Sequence, residues 1–123
     1  MIITEGTNLA DLLKYEAPNL YSREEVTVSA GQNLKLGTVV GRVTATDQIK
    51  QFNPTAEDGS QKAIGVLLQN VDASEKTEMA IMAAREVLVA KKYVIWPSEI
   101  TEEQKKSATE NLYDRGIVLR KGA

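Results

Sequence analysis

Chemistry at neutral pH is most often done by a histidine, a cysteine thiolate or a carboxylate whose pKa has been raised by burial. This chain of 123 residues contains no His and no Cys. That removes the commonest general base and metal ligand, thiolate nucleophiles, disulfides and zinc–thiolate sites together. What remains is the acid pairs Glu24-Glu25, Glu57-Asp58 and Glu102-Glu103. Sequence neighbours on a strand point to opposite faces, so such pairs do not converge on one reacting atom there. A calcium ion at Glu57-Asp58 would need roughly six to eight oxygens, usually gathered over a longer loop. Asp58-Gly59 is instead a turn dipeptide, because Gly accepts positive φ and the Asp carboxylate bonds its own backbone two residues on. A solvated turn and a chain reversal near residue 59 are expected. Gly41-Arg42 lacks the Gly-Lys-Ser/Thr of a phosphate-binding Walker loop and leads into β-branched residues, so Gly37 and Gly41 read as bends or bulges. No catalytic, cofactor-binding or metal-binding constellation emerges, and a protein that is not an enzyme is expected.

The turn leads into Ala63-Ile64-Gly65-Val66-Leu67-Leu68, the most apolar run in the chain. It is too short for a comfortable helix and rich in branched side chains, so 63–71 is predicted to be a central strand covered on both faces. Gly65 marks a place where another backbone or a large side chain comes close. Upstream, Val26 and Val28 alternate with Glu25, Thr27 and Ser29, the pattern of a half-buried strand. Residues 36–46 read as a second strand broken by glycines, and 49–52 as a short one before Pro54. Downstream, 77–92 is ambiguous. Glu78, Met79, Ala80 and Met82 to Glu86 are good helix formers, yet Met79, Ile81, Ala83, Val87 and Val89 share a strand face. Lys91-Lys92 reads as a solvated strand end. Residues 93–97 are extended up to Pro97, since the residue before a proline is kept out of the helical region. Trp96, the only tryptophan, is either a core anchor or an anchor at a subunit interface.

The clearest helix lies at 102–115. Thr101 and Gln104 have capping-box spacing, Glu102 and Glu103 sit in the positive first turn, and Gly116 suits a left-handed cap. Ala108, Leu112 and Tyr113 are predicted to form its inner face. Ile117-Val118-Leu119 then closes the sheet, before the basic Arg120-Lys121.

Residues 1–22 differ from the rest. Leu9, Leu12 and Leu13 fall at helical spacing after a cap at Thr7 or Asn8, in a helix of about two turns that stops before Pro18 and is marginal alone. These leucines either pack on their own domain or belong to an arm that orders on a partner. The totals suit one domain. With 15 basic and 17 acidic residues, no long-range field draws the chain to nucleic acid or anionic lipid. The first residues lack a basic leader, and no stretch reaches the roughly 18 apolar residues of a membrane span. A soluble chain made in the cytoplasm is expected.

In order and spacing, the Asp58-Gly59 loop, Ala63-Ile64-Gly65-Val66-Leu67, Val71-Asp72-Ala73 and Val94-Ile95-Trp96-Pro97 resemble the lambda-type head decoration proteins of tailed bacteriophages, the capsid-stabilising protein D family. The similarity runs from about Val26 to Val118. It implies a mainly β (α+β) fold, a β-clip-like head decoration domain with one clear helix near 102–115, and 77–92 as one long or broken strand. It also implies a capsid-binding arm at 1–22 and a decoration domain at 23–123. The expected function is that of a viral structural protein, a homotrimer on the outer surface of the expanded capsid at three-fold and quasi-three-fold sites. There it would stabilise the head against internal DNA pressure. The implied partners are the major capsid protein and the chain itself, without nucleic acid, membrane or cofactor. The implied location is the virion, after synthesis in the host bacterial cytoplasm. Carried onto this chain, the capsid contact falls on Ile2, Ile3 and Thr4 as a strand added to a capsid sheet, with Leu9, Leu12 and Leu13 beside it, and Trp96 is the trimer-interface candidate. The arm departs from the lambda protein, whose own beginning is rich in proline and small residues. The alternative is a small β-rich module of a phage tail or surface protein recognising carbohydrate, which the wide spacing of the aromatic residues disfavours.

Overall fold

The computed structural model describes residues 9–121. A single helical turn, α1 (Leu9–Leu12), runs into strand β1 (Leu13–Glu16) and a 3-10 turn at Pro18–Leu20. Strands β2 (Arg23–Val28), β3 (Gln32–Leu34), β4 (Val39–Arg42), β5 (Ile49–Gln51), β6 (Gly65–Leu67), β7 (Val71–Ala73), β8 (Glu78–Ala83) and β9 (Val87–Ala90) follow. After a second 3-10 turn at Lys91–Tyr93 come helix α2 (Glu102–Asp114) and strand β10 (Ile117–Arg120).

Five strands close into a small barrel in the order β2-β5-β4-β6-β8. Its longest ladder is antiparallel, from Arg23 opposite Ala83 to Val28 opposite Glu78. Val26, Val28, Val40, Ile49, Leu67, Ala80 and Met82 supply its interior, so every strand contributes and the alternation predicted for β2 is present. A second core lies outside this ring, where Val39, Val66 and Ala83 meet Leu12, Val87, Val89, Ala108, Leu112 and Ile117. The β6 strand therefore faces apolar neighbours on both sides, Val66 in one core and Leu67 in the other, which is why 63–68 carries no polar residue. At Gly65 an added Cβ would sit 2.6 Å from Met82 Sδ and 2.8 Å from the Ala83 carbonyl oxygen, the close approach expected there.

The Asp58-Gly59 reversal folds back onto β4. Gly59 has φ +112°, and a Cβ there would strike the Arg42 carbonyl. The Thr44 N–H donates to the Asp58 carbonyl at 2.8 Å. A Cβ at Gly41 would lie within 2.6–2.8 Å of Ser60 and Lys62 backbone atoms. The expected strand at 36–46 is consequently shorter, Val39–Arg42, because the loop packs against its far end.

The second layer is a three-stranded sheet in the order β1-β9-β10, with β1 antiparallel and β10 parallel to β9. A two-stranded ribbon, β3-β7, completes the set. Residues 77–92 form a broken strand, with the break at Glu86, whose φ is +50°. Of the five residues expected to share a face, Ala83, Val87 and Val89 lie in the second core and Ile81 packs against it, while Met79 is exposed. Ala80 and Met82, on the other face, point into the barrel opposite β2. Lys91-Lys92 lies in a 3-10 turn, exposed as expected but past the strand end.

Helix α2 has the full capping box: the Gln104 N–H donates to Thr101 Oγ1 and the Thr101 N–H to Gln104 Oε1, both at 3.0 Å. Gly116 follows at φ +83°. Ala108 and Leu112 are buried as predicted, but Tyr113 is 66% exposed. One residue beyond Leu112 turns about 100° round the helix, away from the stripe that faces the core.

Candidate interaction surface

The acid pairs do not converge. Glu24 accepts from Arg85 at 2.6 Å and Arg42 at 3.1 Å, while Glu25 is exposed. Glu102 and Glu103 are both exposed in the first turn of α2. The Asp58 carboxylate accepts the Ser60 hydroxyl at 2.6 Å, the Ser60 N–H at 2.9 Å and Lys50 Nζ at 3.3 Å. Those bonds, the hydroxyl first, lower its pKa to about 2, the opposite of what a general acid needs. Among the described residues, no group of His, Cys, Asp and Glu is arranged to hold a metal ion.

Trp96 is half-buried and packs against the second core, edge-on to Phe52 with ring centroids 6.3 Å apart and planes at 74°. Its remaining surface borders a cleft of about 440 Å³ walled by Lys91, Lys105, Lys106 and Glu102. It is thus anchored in the core of its own chain.

The sequence-predicted contact residues divide in two. Ile2, Ile3 and Thr4 lie outside the described residues. Leu12 is wholly buried in the second core, with Leu9 and Leu13 packed against it. The 9–22 segment is tied down besides: β1 lies along β9, and Arg23 grips Glu16 through two bonds of 2.7 and 2.8 Å. Those bonds hold the Glu16 carboxyl below its ordinary pKa. Ser22, fully buried, accepts the Ala17 N–H at 2.8 Å and donates to the Glu86 carbonyl at 2.7 Å. Leu12 therefore has no face to offer a partner in this structure, and an arm reaching residue 22 gives way to residues that belong to the fold.

The most conspicuous surface was not legible in the sequence. Tyr15, Tyr21 and Tyr113, far apart along the chain, line one open groove of about 740 Å³ over the outer face of the three-stranded sheet, 58–66% exposed. Leu88 and Val118 form its floor, with Arg85, Arg115 and Arg120 around it. Arg85 stacks 5.3 Å from the Tyr21 ring centroid and also pairs with Glu24. Arg115 and Arg120 make no ion pair among the described residues. No local pattern pointed to this face, because pairing β1 with β10 across β9 requires the tertiary fold.

These features define a small β-rich α+β domain that presents aromatic and basic surface. The sequence comparison is more specific: the family model of the bacteriophage lambda head decoration protein D matches residues 2–117, and the chain belongs to that family. It is a phage head decoration protein, associated with the capsid at the surface of the virion. No curated protein matches it. No helix among the described residues is long and apolar enough to cross a membrane.

Proposed function

We propose that this protein binds the outer surface of the expanded phage capsid as a homotrimer at three-fold and quasi-three-fold positions, stabilising the head against the pressure of packaged DNA. The observation that carries the reading is the family match, which begins at residue 2 and so includes the segment ahead of α1. That segment makes the capsid contact. Ile2, Ile3 and Thr4 add a strand to a capsid sheet, where backbone hydrogen bonds give affinity and alternate side chains fill pockets. Three such segments on one trimer act as a multivalent set, each bound one raising the effective concentration of the others. Bridging neighbouring capsid subunits opposes their separation and requires no chemistry, cofactor, nucleic acid or membrane. Synthesis takes place in the host cytoplasm.

The test is co-sedimentation with expanded, undecorated heads, comparing the full chain with one lacking residues 1–8. The cut falls before α1 because residues 9–22 are part of the fold. Saturable binding by the full chain and none by the folded shortened one is the expected result. Equal binding by both moves the contact off the amino-terminal segment, and binding by neither to competent heads overturns decoration of those heads.

A further inference from the structure

The three-stranded sheet ends in two different edges. Among the described residues, β1 and β10 each pair with β9 alone. An edge strand presents a row of unpaired N–H and C=O groups, which folded proteins either protect or use. These two edges match one another. Each strand is four residues long. Since β1 is antiparallel and β10 parallel to β9, the two run in opposite senses. Their outward residues also match, because Tyr15 and Val118 both lie opposite Leu88 and both line the groove.

We propose that copies of this chain join head to tail through these edges, β10 of one copy lying antiparallel beside β1 of the next with Val118 opposite Tyr15. The register follows from the faces. Side chains alternate along a strand, so a slip of one residue would bring outward Tyr15 against Ile117 or Leu119, which pack inward. With Val118 opposite Tyr15, the row Tyr15, Leu88, Val118 continues unbroken into the neighbouring copy. The β1 register shifts between Leu13 and Tyr15, with Lys14 as the extra residue, so Leu119 comes opposite Leu13, inward against inward, and Arg120 comes level with Leu12 at the end of the ladder. At the other end Pro18, which has no N–H, stops the ladder near Arg115. Tyr and Arg, the residues that frame this groove, are those enriched among interface anchors. Two different edges meet, so the contact is heterologous and ends only by closing a ring. A ring of three is the assembly proposed above, and the inference rests on that reading.

The absence of cysteine makes the junction directly testable. Lys14→Cys and Arg120→Cys each place one thiol on an exposed edge position. A 1:1 mixture of the two variants is treated with a short bismaleimide, both free at high concentration and bound to expanded heads. The expected result is a dimer band from the mixture, with peptides joined through positions 14 and 120, and none from either variant alone. No enrichment in the mixture under either condition overturns the edge pairing. So does a product of either variant alone, which would signal a symmetric contact, or a product with the major capsid protein. Tyr15→Cys with Val118→Cys reads the same register should a first variant fail to fold. Sedimentation of the same samples separates the two proposals: head binding without the crosslink sinks the edge pairing alone, and the crosslink without head binding sinks decoration alone.

Discussion

Two side chains show how single polar groups hold this fold. Asp58 organises its loop by accepting bonds from Ser60 and Lys50, and its pKa falls to about 2 as a result. A carboxylate lowered in the folded state contributes stability that is present above its unfolded value near 4 and is lost as pH falls through the folded one. Asp58→Ala is therefore expected to lower the melting temperature at pH 7, with the gap to the natural protein closing between about pH 4 and pH 2; thermal melts across that range check it. Ser22 does comparable work without charge. Ser22→Ala would strand the Ala17 N–H and the Glu86 carbonyl, at a cost of about 1–3 kcal/mol. Hydrogen exchange should then accelerate at Ala17 and along β1 before it does in the barrel. The Asp58 turn was legible because its chemistry is local. Ser22 was not, because its partner Glu86 lies 64 residues away.

The elements divide along the same line. Helix α2 was readable from its caps, and β6 from an apolar run that needs cover on both faces. In β1 the local signal misleads, since Leu9, Leu12 and Leu13 at helical spacing invite a two-turn helix. The described helix stops at Leu12 and the chain turns extended, because β9 supplies a ladder and the second core takes the leucines. The β8 strand was undecided for the related reason that good helix formers are overruled by six residue pairs with β2. A mutational pair tests the placement of the leucines. Leu12→Ala should cost about 2–5 kcal/mol in chemical denaturation, whereas Leu20→Ala, at a site 61% exposed, should stay within about 0.5 kcal/mol. Similar small effects at both positions would mean that α1 contributes nothing to the domain.

At the scale of the whole molecule, charge is nearly balanced, and residues 1–8 carry one charged side chain, Glu5. If that segment makes the capsid contact by adding a strand, backbone bonds and apolar side chains carry the affinity. Head binding should then change by less than about threefold between roughly 0.05 and 0.5 M salt, because little of it is open to screening. A steep fall in co-sedimentation would point instead to Arg115, Arg120 and the lysines around Trp96. The aromatic groove was invisible at this scale in the sequence, since only the closed fold brings residues 15, 21 and 113 to one place.

The strand order also sets a timetable. All five barrel strands lie within residues 23–83, so the ring can close while the rest of the chain is still being made. The β1-β9-β10 sheet, in contrast, joins the first strand to the last. It is finished only when β10 leaves the ribosome. If copies join through the two edges as proposed, a translation product cut short before Ile117 would own a barrel but lack one of those edges, and could neither extend nor close a ring. In such an assembly the geometry itself would check completeness of synthesis before any copy is committed to a particle.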